Sequence, residues 1–337
     1  MDMRDLKFGV EVETVGKTRQ TVAEAIRTVV GGAVRHTGYP SSHDPWEVTD
    51  SRSRIWKVVH DASLTSVPSH LRAEVVTPIL TYADLAELQD VIRAVRKLAG
   101  ARATSECAVH VHVDGAPFDA RSLANLAKTF YKYEELIIRA LGVNRDRLQR
   151  YCRPMREEFI RGIERRKPRT GEQLNRLWYG YRNTNPAHYD PSRYAILNLN
   201  AYWHSATVEV RAFNGCLHAG RIKGYCQLCL ALAAKAINSR AASSRRWKAD
   251  GKSDKYIFRT LLLHLGLIGD EFKACRKHLL ANLAGSAAWK NGRPTAPPTP
   301  AAAPEASGTA EETPAEDADP AEGDGPQLPG VYSRFLT

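Results

Sequence analysis

The sequence has 337 residues, with 48 Lys plus Arg, 37 Asp plus Glu and a formal net charge of +11. Hydrophobic residues make up 43% and charged residues 25%, which is the balance of a globular protein. No apolar run approaches the roughly 18 residues that a membrane helix needs, and the charged start Met1–Asp5 is unlike a secretory signal. Six cysteines in so long a chain predict reduced thiols rather than a disulfide framework. We therefore expect a cytoplasmic protein without a membrane partner.

The composition changes sharply at Arg293, where a stretch dominated by Pro, Ala, Glu and Asp begins. Such a stretch buries too little apolar surface to offset the entropy of ordering it, so we predict a disordered tail over 293–337. The predicted folded domain, 1–292, then keeps 46 basic and 29 acidic residues, a formal charge of +17. The last seven residues, 331–337, are apolar again. They are typical of a frayed end or of a short peptide that docks on a protein partner.

Hydrophobic periodicity predicts the secondary structure of residues 1–292. A period of two indicates strands and helical spacing indicates amphipathic helices. In chain order the predicted elements are strand Leu6–Glu13, helix Thr21–Val30, strands Ile55–His60 and Ala73–Val76, helix Tyr82–Leu98, strand Ala108–Val113, helix Asp119–Leu141, a basic helical region to Lys167, strands Tyr194–Asn200 and Thr207–Phe213, and helices Cys216–Ser239, Tyr256–Leu265 and Glu271–Leu283. Because helices separate the strands irregularly, we expect an α+β fold with a largely antiparallel sheet.

Three of the predicted strands carry unusual polar faces. Side chains two residues apart on a strand point the same way, roughly 7 Å apart. A solvated strand face explains any one such pattern, but carboxylates, imidazoles and guanidinium groups on three strands favour a site for divalent cations and phosphate. The side chains on these faces are Glu11 and Glu13, His110 and His112, and Glu209 and Arg211.

Several further polar residues flank the predicted strands. Asp61 and Ser63 follow Ile55–His60, Glu74 lies inside the next strand, and Arg193 precedes the strand that contains Asn198. Each of these residues alone is weak evidence for a site, since capping and buried structural roles are common for Asp, Asn and Ser.

Taken in order, these segments resemble the amidoligase family of carboxylate–amine ligases, a group that includes glutamine synthetase and glutamate–cysteine ligase. The similarity spans roughly residues 6–240. The segments that carry it are Phe8–Glu13, Asp61–Ser63, Glu74–Pro78, His110–Val113, Arg193–Asn198 and Thr207–Phe213. The chain departs from the family at Glu106–Ala108, where relatives often have a glycine-rich approach to the histidine strand.

The resemblance implies a glutamine-synthetase-like fold whose curved sheet holds ATP, two Mg²⁺ ions and an acid substrate. By analogy, Glu11, His110 and Glu209 are the ligands of one ion, and Glu13 and Glu74, with Asp61, those of the other. Arg211 is expected to face phosphate, and Arg193 to face phosphate or the substrate carboxylate; with Glu209 and Asp61 they are the candidate catalytic residues. Asn198, Ser63 and His112 are the remaining expected contacts to the nucleotide. An imidazole is an unusual Mg²⁺ ligand, which indicates that Mn²⁺ could substitute.

The implied reaction is ATP-dependent formation of an amide through an acyl phosphate. The substrates would be a carboxylate on an amino acid, a peptide or a cell-wall fragment, and an amine co-substrate. Two cations and an arginine would shield the negative charges that gather in such a reaction.

Two other functions fit part of the sequence. A zinc hydrolase could use His110 and His112 with an acidic third ligand, although this leaves the other polar strand faces unexplained. Cys226 and Cys229 have no second cysteine pair and lie in an apolar helical run, so we predict core thiols rather than a zinc site. A nucleic-acid-binding protein would explain the basic stretch 145–169, which has ten Arg plus Lys and four acidic residues, but a solvated helix face explains it more simply.

Overall fold

The computed structural model describes residues 1–38, 43–248 and 250–288. The predicted tail 293–337, its boundary at Arg293 and its apolar end lie outside the described residues, so these remain predictions. Among the helices of the described residues, none combines the length and the apolar character that crossing a membrane requires.

The described strands form one open sheet. They are β1 (Phe8–Val15), β2 (Ala33–His36), β3 (Trp46–Thr49), β4 (Ile55–Val59), β5 (Arg72–Val76), β6 (Ala108–Asp114), β7 (Leu197–Asn198) and β8 (Thr207–Asn214). Their order in the sheet is β2-β3-β4-β5-β1-β6-β8-β7. Every pair of neighbours in this order is antiparallel, which confirms the predicted α+β class and strand direction.

Helices flank the sheet and close its apolar face. They are α1 (Arg19–Val30), α2 (Leu85–Lys97), α3 (Ala120–Leu141), α4 (Arg145–Arg150), α5 (Glu157–Arg166), α6 (Gly171–Tyr179), α7 (Asn200–Ser205), α8 (Ala219–Asn238), α9 (Asp254–His264) and α10 (Lys273–Leu280). The local sequence explains both ends of α3. The Asp119 carboxylate accepts a hydrogen bond from Ser122 N at 2.7 Å at its start, and Gly142 ends it in the left-handed conformation at φ +58°.

The core lies between the helices and the apolar face of the sheet. Val10 and Val12 of β1 are each 1% exposed, as their alternation with polar residues predicts. Helices α1, α3 and α8 contact the strands on this side. Cys226 and Cys229 of α8 are buried and unpaired, which confirms that they are core thiols.

The structure differs from the predicted elements at short or irregular segments. The predicted strand Tyr194–Asn200 is reduced to β7, because the chain turns into α7 at Asn200. Strands β2 and β3 were not predicted, since β2 is mostly exposed and four residues show little periodicity. The basic region contains two helices, α4 and α5, separated by a segment with Pro154, which interrupts helix formation.

One irregularity in the sheet bears directly on its polar face. Where β6 pairs with β8, Arg211 and Ala212 together lie opposite the single residue His110. Strict alternation would place Phe213 on the same face as Arg211. This β-bulge instead returns Phe213 to the core, where its ring stacks on Tyr225 with 4.2 Å between centroids. The arginine therefore stays on the polar face while the strand rejoins the core.

A candidate metal and phosphate site on the sheet

The strand register brings the three predicted polar faces together at the centre of the sheet. Directly opposed residues of antiparallel strands place their side chains on the same face. The opposed pairs are Glu11 with His110, Glu13 with Glu74, and His112 with Glu209. Several of these side chains are also deeply buried: His110 is 4%, Glu13 5% and Glu209 2% exposed. A solvated strand face does not explain this degree of burial.

Both imidazoles lie between two carboxylates. His110 Nδ1 is 3.1 Å from Glu11 Oε2, and His112 Nε2 is 3.4 Å from Glu11 Oε1. The same two nitrogens lie 3.6 and 3.8 Å from Glu209 Oε1. Burial and the Arg211 guanidinium lower the pKa of His110 to about 4, so its imidazole is neutral at pH 7. A neutral imidazole is the form that ligates a metal ion.

Glu209 is held in place by donors from its own sheet. Asn198 Nδ2 donates a hydrogen bond to Glu209 Oε2 at 2.5 Å, and Arg211 donates to Glu209 Oε1. Arg211 is in turn fixed by its Nε, which donates to the Tyr151 carbonyl at 3.2 Å. Burial alone would raise the pKa of Glu209, but the adjacent Arg211 and the nearby His112 lower it to about 2. Glu209 is thus a pre-oriented carboxylate in its charged form.

In contrast to Glu209, the carboxyl groups of Glu13 on β1 and Glu74 on β5 have raised pKa values. Glu13 accepts a hydrogen bond from Ala108 N at 2.7 Å, but burial and the nearby Asp61 carboxylate raise its pKa to about 8. Burial and the adjacent Glu11 and Glu13 carboxylates raise the pKa of Glu74 well above its ordinary value. These carboxylates repel one another, and a divalent cation among them would relieve the repulsion.

The donor atoms fit divalent cations in both number and type. In each of three sets, one donor atom per residue lies within 4.8 Å of the others; the sets are Glu11–Glu74–His110, Glu11–His112–Glu209 and Glu13–Asp61–Glu74. The buried Nε2 atoms of His110 and His112 have no hydrogen-bond partner among the described residues. The third set contains the residues expected for one ion. For the other ion, the resemblance grouped His110 with Glu11 and Glu209. His110 Nδ1 and His112 Nε2 both lie within 4 Å of these two carboxylates, so either imidazole is placed to join them.

A cleft lies over these carboxylates and also contains basic side chains. Arg147, Arg193 and Arg211 line it together with the carboxylates. The Arg193 guanidinium lies 5.3 Å from the Tyr189 ring centroid and 5.7 Å from that of Tyr194. Within the described ranges it has no carboxylate partner. Arg193 therefore presents a cation that is free to bind an anion in the cleft.

The other predicted site residues occupy different positions. Asp61 and Ser63 line the edge of the cleft, where Ser63 N donates to Asp61 Oδ1 at 2.6 Å. Asn198 uses its amide within the protein: Nδ2 binds Glu209, and Oδ1 accepts from Asn200 N at 2.9 Å. Asn198 thus orients Glu209, and its predicted contact to the nucleotide stays a prediction. His112 faces a second recess beside the cleft.

Sequence reasoning missed several residues that line the cleft. Arg147 of α4 is 3% exposed, and its guanidinium donates to the carbonyl groups of Phe213 and Arg211, the latter at 3.0 Å. The only sequence signal for Arg147 was its place in a run of many arginines. His188 and Tyr189 come from the loop after α6, where no periodic pattern marks them.

The fold and the site define an α+β protein whose sheet clusters carboxylates and imidazoles in a cleft that arginines also line. A family model described as "Putative amidoligase enzyme" matches residues 4–233, which include every predicted site residue. The chain belongs to this amidoligase family, so the resemblance seen in the sequence is confirmed, and the family indicates an enzyme that forms amide bonds. No curated protein matches the chain.

Proposed function

We propose that this protein is an ATP-dependent carboxylate–amine ligase with a glutamine-synthetase-like catalytic sheet. The carboxylate substrate belongs to an amino acid, a peptide or a cell-wall fragment, and an amine is the second substrate. The observation that carries the proposal is the placement of Glu11, Glu13, Glu74, His110 and Glu209 on one sheet face, beside a cleft that three arginines also line. Family membership supports amide formation independently.

The reaction would proceed in two steps. A carboxylate oxygen of the acid attacks the γ-phosphorus of ATP, and the bond from that phosphorus to the bridging oxygen breaks, releasing ADP and leaving an acyl phosphate. The amine nitrogen then attacks the acyl carbon. The bond from that carbon to the phosphate oxygen breaks, and the nitrogen loses a proton as the amide forms. The first step brings an anionic carboxylate to an anionic triphosphate, and the second develops negative charge on the acyl oxygen and the departing phosphate. The site must therefore neutralise negative charge.

The residues of the chain would neutralise negative charge in two ways, by holding cations and by supplying arginines. Glu11 and Glu209, with His110 or His112, would hold one divalent cation, and Glu13, Asp61 and Glu74 the other. Mg²⁺ or Mn²⁺ bound there would act as a Lewis acid toward phosphoryl oxygens. Arg211 is directed by its bond to Glu209, and Arg193 has no carboxylate partner in the described part of the chain. We assign Arg211 to phosphate oxygens and Arg193 to the carboxylate of the acid.

The test is a screen for ADP release over amino acids, short peptides and amines with Mg²⁺ or Mn²⁺. Glu11→Gln should abolish ADP release from the active pair, because it removes a carboxylate shared by two of the cation sets. Glu172→Gln is the matched control, since Glu172 lies on α6 in a surface pair with Arg176 and its side chain is 47% exposed. Wild-type ADP release by Glu11→Gln would contradict the proposed site.

A zinc hydrolase is the second candidate, because Glu11, His112 and Glu209 are also suitable zinc ligands. It predicts metal-dependent hydrolysis of an amide or ester in the absence of ATP. Hydrolysis that persists without nucleotide and is lost in His112→Ala would favour this function over the ligase.

A further inference from the structure

A second recess lies on the same sheet face, beside His112. We call it the Gly9 groove and define it by Gly9, Val76, Pro78, Ile79, His112 and Thr207. Gly9 lies directly opposite His112 in the β1–β6 pair and leaves the floor of the groove open. Glu11 lines both the groove and the cleft, so the groove adjoins the proposed cation site.

The groove differs from the cleft in its chemistry. Val76, Pro78 and Ile79 give it an apolar wall, and Ile79 is 72% exposed. Among the groove's lining residues in the described chain, Lys7 at the mouth is the one Lys or Arg. Three arginines line the cleft instead. A flat apolar group suits the groove, whereas anionic groups suit the cleft.

The proposed chemistry separates the substrates along the sheet. The acid attacks the γ-phosphorus in line with the departing ADP, so the acid and the nucleobase lie on opposite sides of the transferred phosphoryl group. The amine attacks the acyl carbon, so it belongs on the side of the acid. The anionic acid fits the cleft, where Arg193 is available. This leaves the groove for the base.

We propose that the Gly9 groove binds the nucleobase of the nucleoside triphosphate, and that the acid substrate occupies the Arg193 side of the cleft. The inference rests on the proposed ATP-dependent function. Gly9 is not needed by the fold at this position, because an added Cβ would lie 3.7 Å from Thr77 Oγ1, an ordinary van der Waals distance. A larger side chain there would occupy the floor on which the base lies.

The test compares two ligands that share their phosphates and differ in the nucleoside. Calorimetry would measure binding of the ATP analogue AMP-PNP and of inorganic tripolyphosphate, each with Mg²⁺, to the full chain. Gly9→Val should weaken AMP-PNP binding by about tenfold or more and leave tripolyphosphate binding unchanged. Ile79→Ser should act in the same direction. Ile268→Ser is its matched control, because Ile268 is 60% exposed and does not line the groove.

Each outcome separates the inference from the proposed function. If wild type binds AMP-PNP and both groove variants bind it equally well, the base lies elsewhere and the inference fails while the ligase proposal stands. If Gly9→Val weakens tripolyphosphate as much as AMP-PNP, the groove holds phosphate and the inference is overturned. Unchanged AMP-PNP binding with a raised KM for the amine would assign the groove to the amine. If wild type binds neither ligand, both proposals fail.

Discussion

Replacing Glu209 and Glu74 by glutamine should have opposite effects on the stability of the metal-free protein. The two carboxylates lie on the same sheet face, but Glu209 is paired with Arg211, whereas Glu74 lies among other carboxylates. Glu209→Gln removes the negative charge that compensates the guanidinium of Arg211, a residue that is 5% exposed. Glu74→Gln removes a source of repulsion.

The magnitude for Glu209 follows from its pKa. The pKa is lowered from 4.5 to about 2 in the folded protein. At about 1.4 kcal/mol per pKa unit, the charged form of Glu209 stabilises the fold by about 3 kcal/mol. Because the folded-state pKa is depressed, this stabilisation is fully present above pH 4.5 and is lost as the pH falls toward 2. Glu209→Gln should therefore lower the free energy of unfolding at pH 7 by about 3 kcal/mol. Glu74→Gln should leave it unchanged or raise it.

The assay is urea denaturation at pH 7 with EDTA, followed by circular dichroism. Glu172→Gln on the exposed face of α6 serves as the control and should change the free energy of unfolding by about 0.5 kcal/mol or less. Both site variants should also lose metal-dependent AMP-PNP binding. The reasoning is refuted if Glu209→Gln is as stable as wild type, or if Glu74→Gln is destabilised by a comparable amount.

Three further predictions concern regions outside the site. The Asp84 carboxylate accepts hydrogen bonds from Thr81 N and Oγ1 in the turn before α2. Although burial opposes this, these and other hydrogen bonds lower the pKa of Asp84 to about 2. Asp84→Asn should therefore lower the free energy of unfolding at pH 7 by about 2 kcal/mol, and urea denaturation should show the difference disappearing as the pH approaches 2. A chain truncated after Gly292 should keep the melting temperature of the full chain by calorimetry, and a loss of cooperative unfolding would show that the tail contributes to folding. Replacing Arg165, Arg166 and Lys167 by Ser should leave kcat and KM unchanged at low and high salt, because none of them lines the cleft; a rise in KM confined to low salt would show electrostatic steering instead.

The residues of the polar faces could be predicted because strand alternation is a local property. Glu11 and Glu13 share a face whatever β1 pairs with, and the same holds for His110 and His112. The pairing itself could not be predicted from residue spacing, since Glu13 and Glu74 become neighbours only through the register of β1 and β5. Their order along the chain, compared with a known family, supplied the information that periodicity lacks.

The residues that were missed depend on tertiary packing. Arg147 reaches the cleft because α4 packs against the end of β8 and its guanidinium donates to carbonyl groups there. The basic run around it carries no signal that separates one buried arginine from its exposed neighbours. The bulge at Arg211 was likewise outside the reach of strand alternation, which predicts a uniform strand through Phe213.

The polar face of the sheet has two parts, Glu209 with its donors and the carboxylates of Glu13 and Glu74. The difference between them explains why this face is better understood as a binding site than as part of the scaffold. A structural network would pair its buried charges, as Glu209, Arg211 and Asn198 do. Glu13 and Glu74 instead bring carboxylates together where burial and mutual repulsion raise both pKa values. This arrangement costs folding stability, and apolar side chains on β1 and β5 would avoid that cost. A bound cation would attract both carboxylates and so replace the repulsion between them. Glu13 and Glu74 are therefore the part of the face that most needs a ligand.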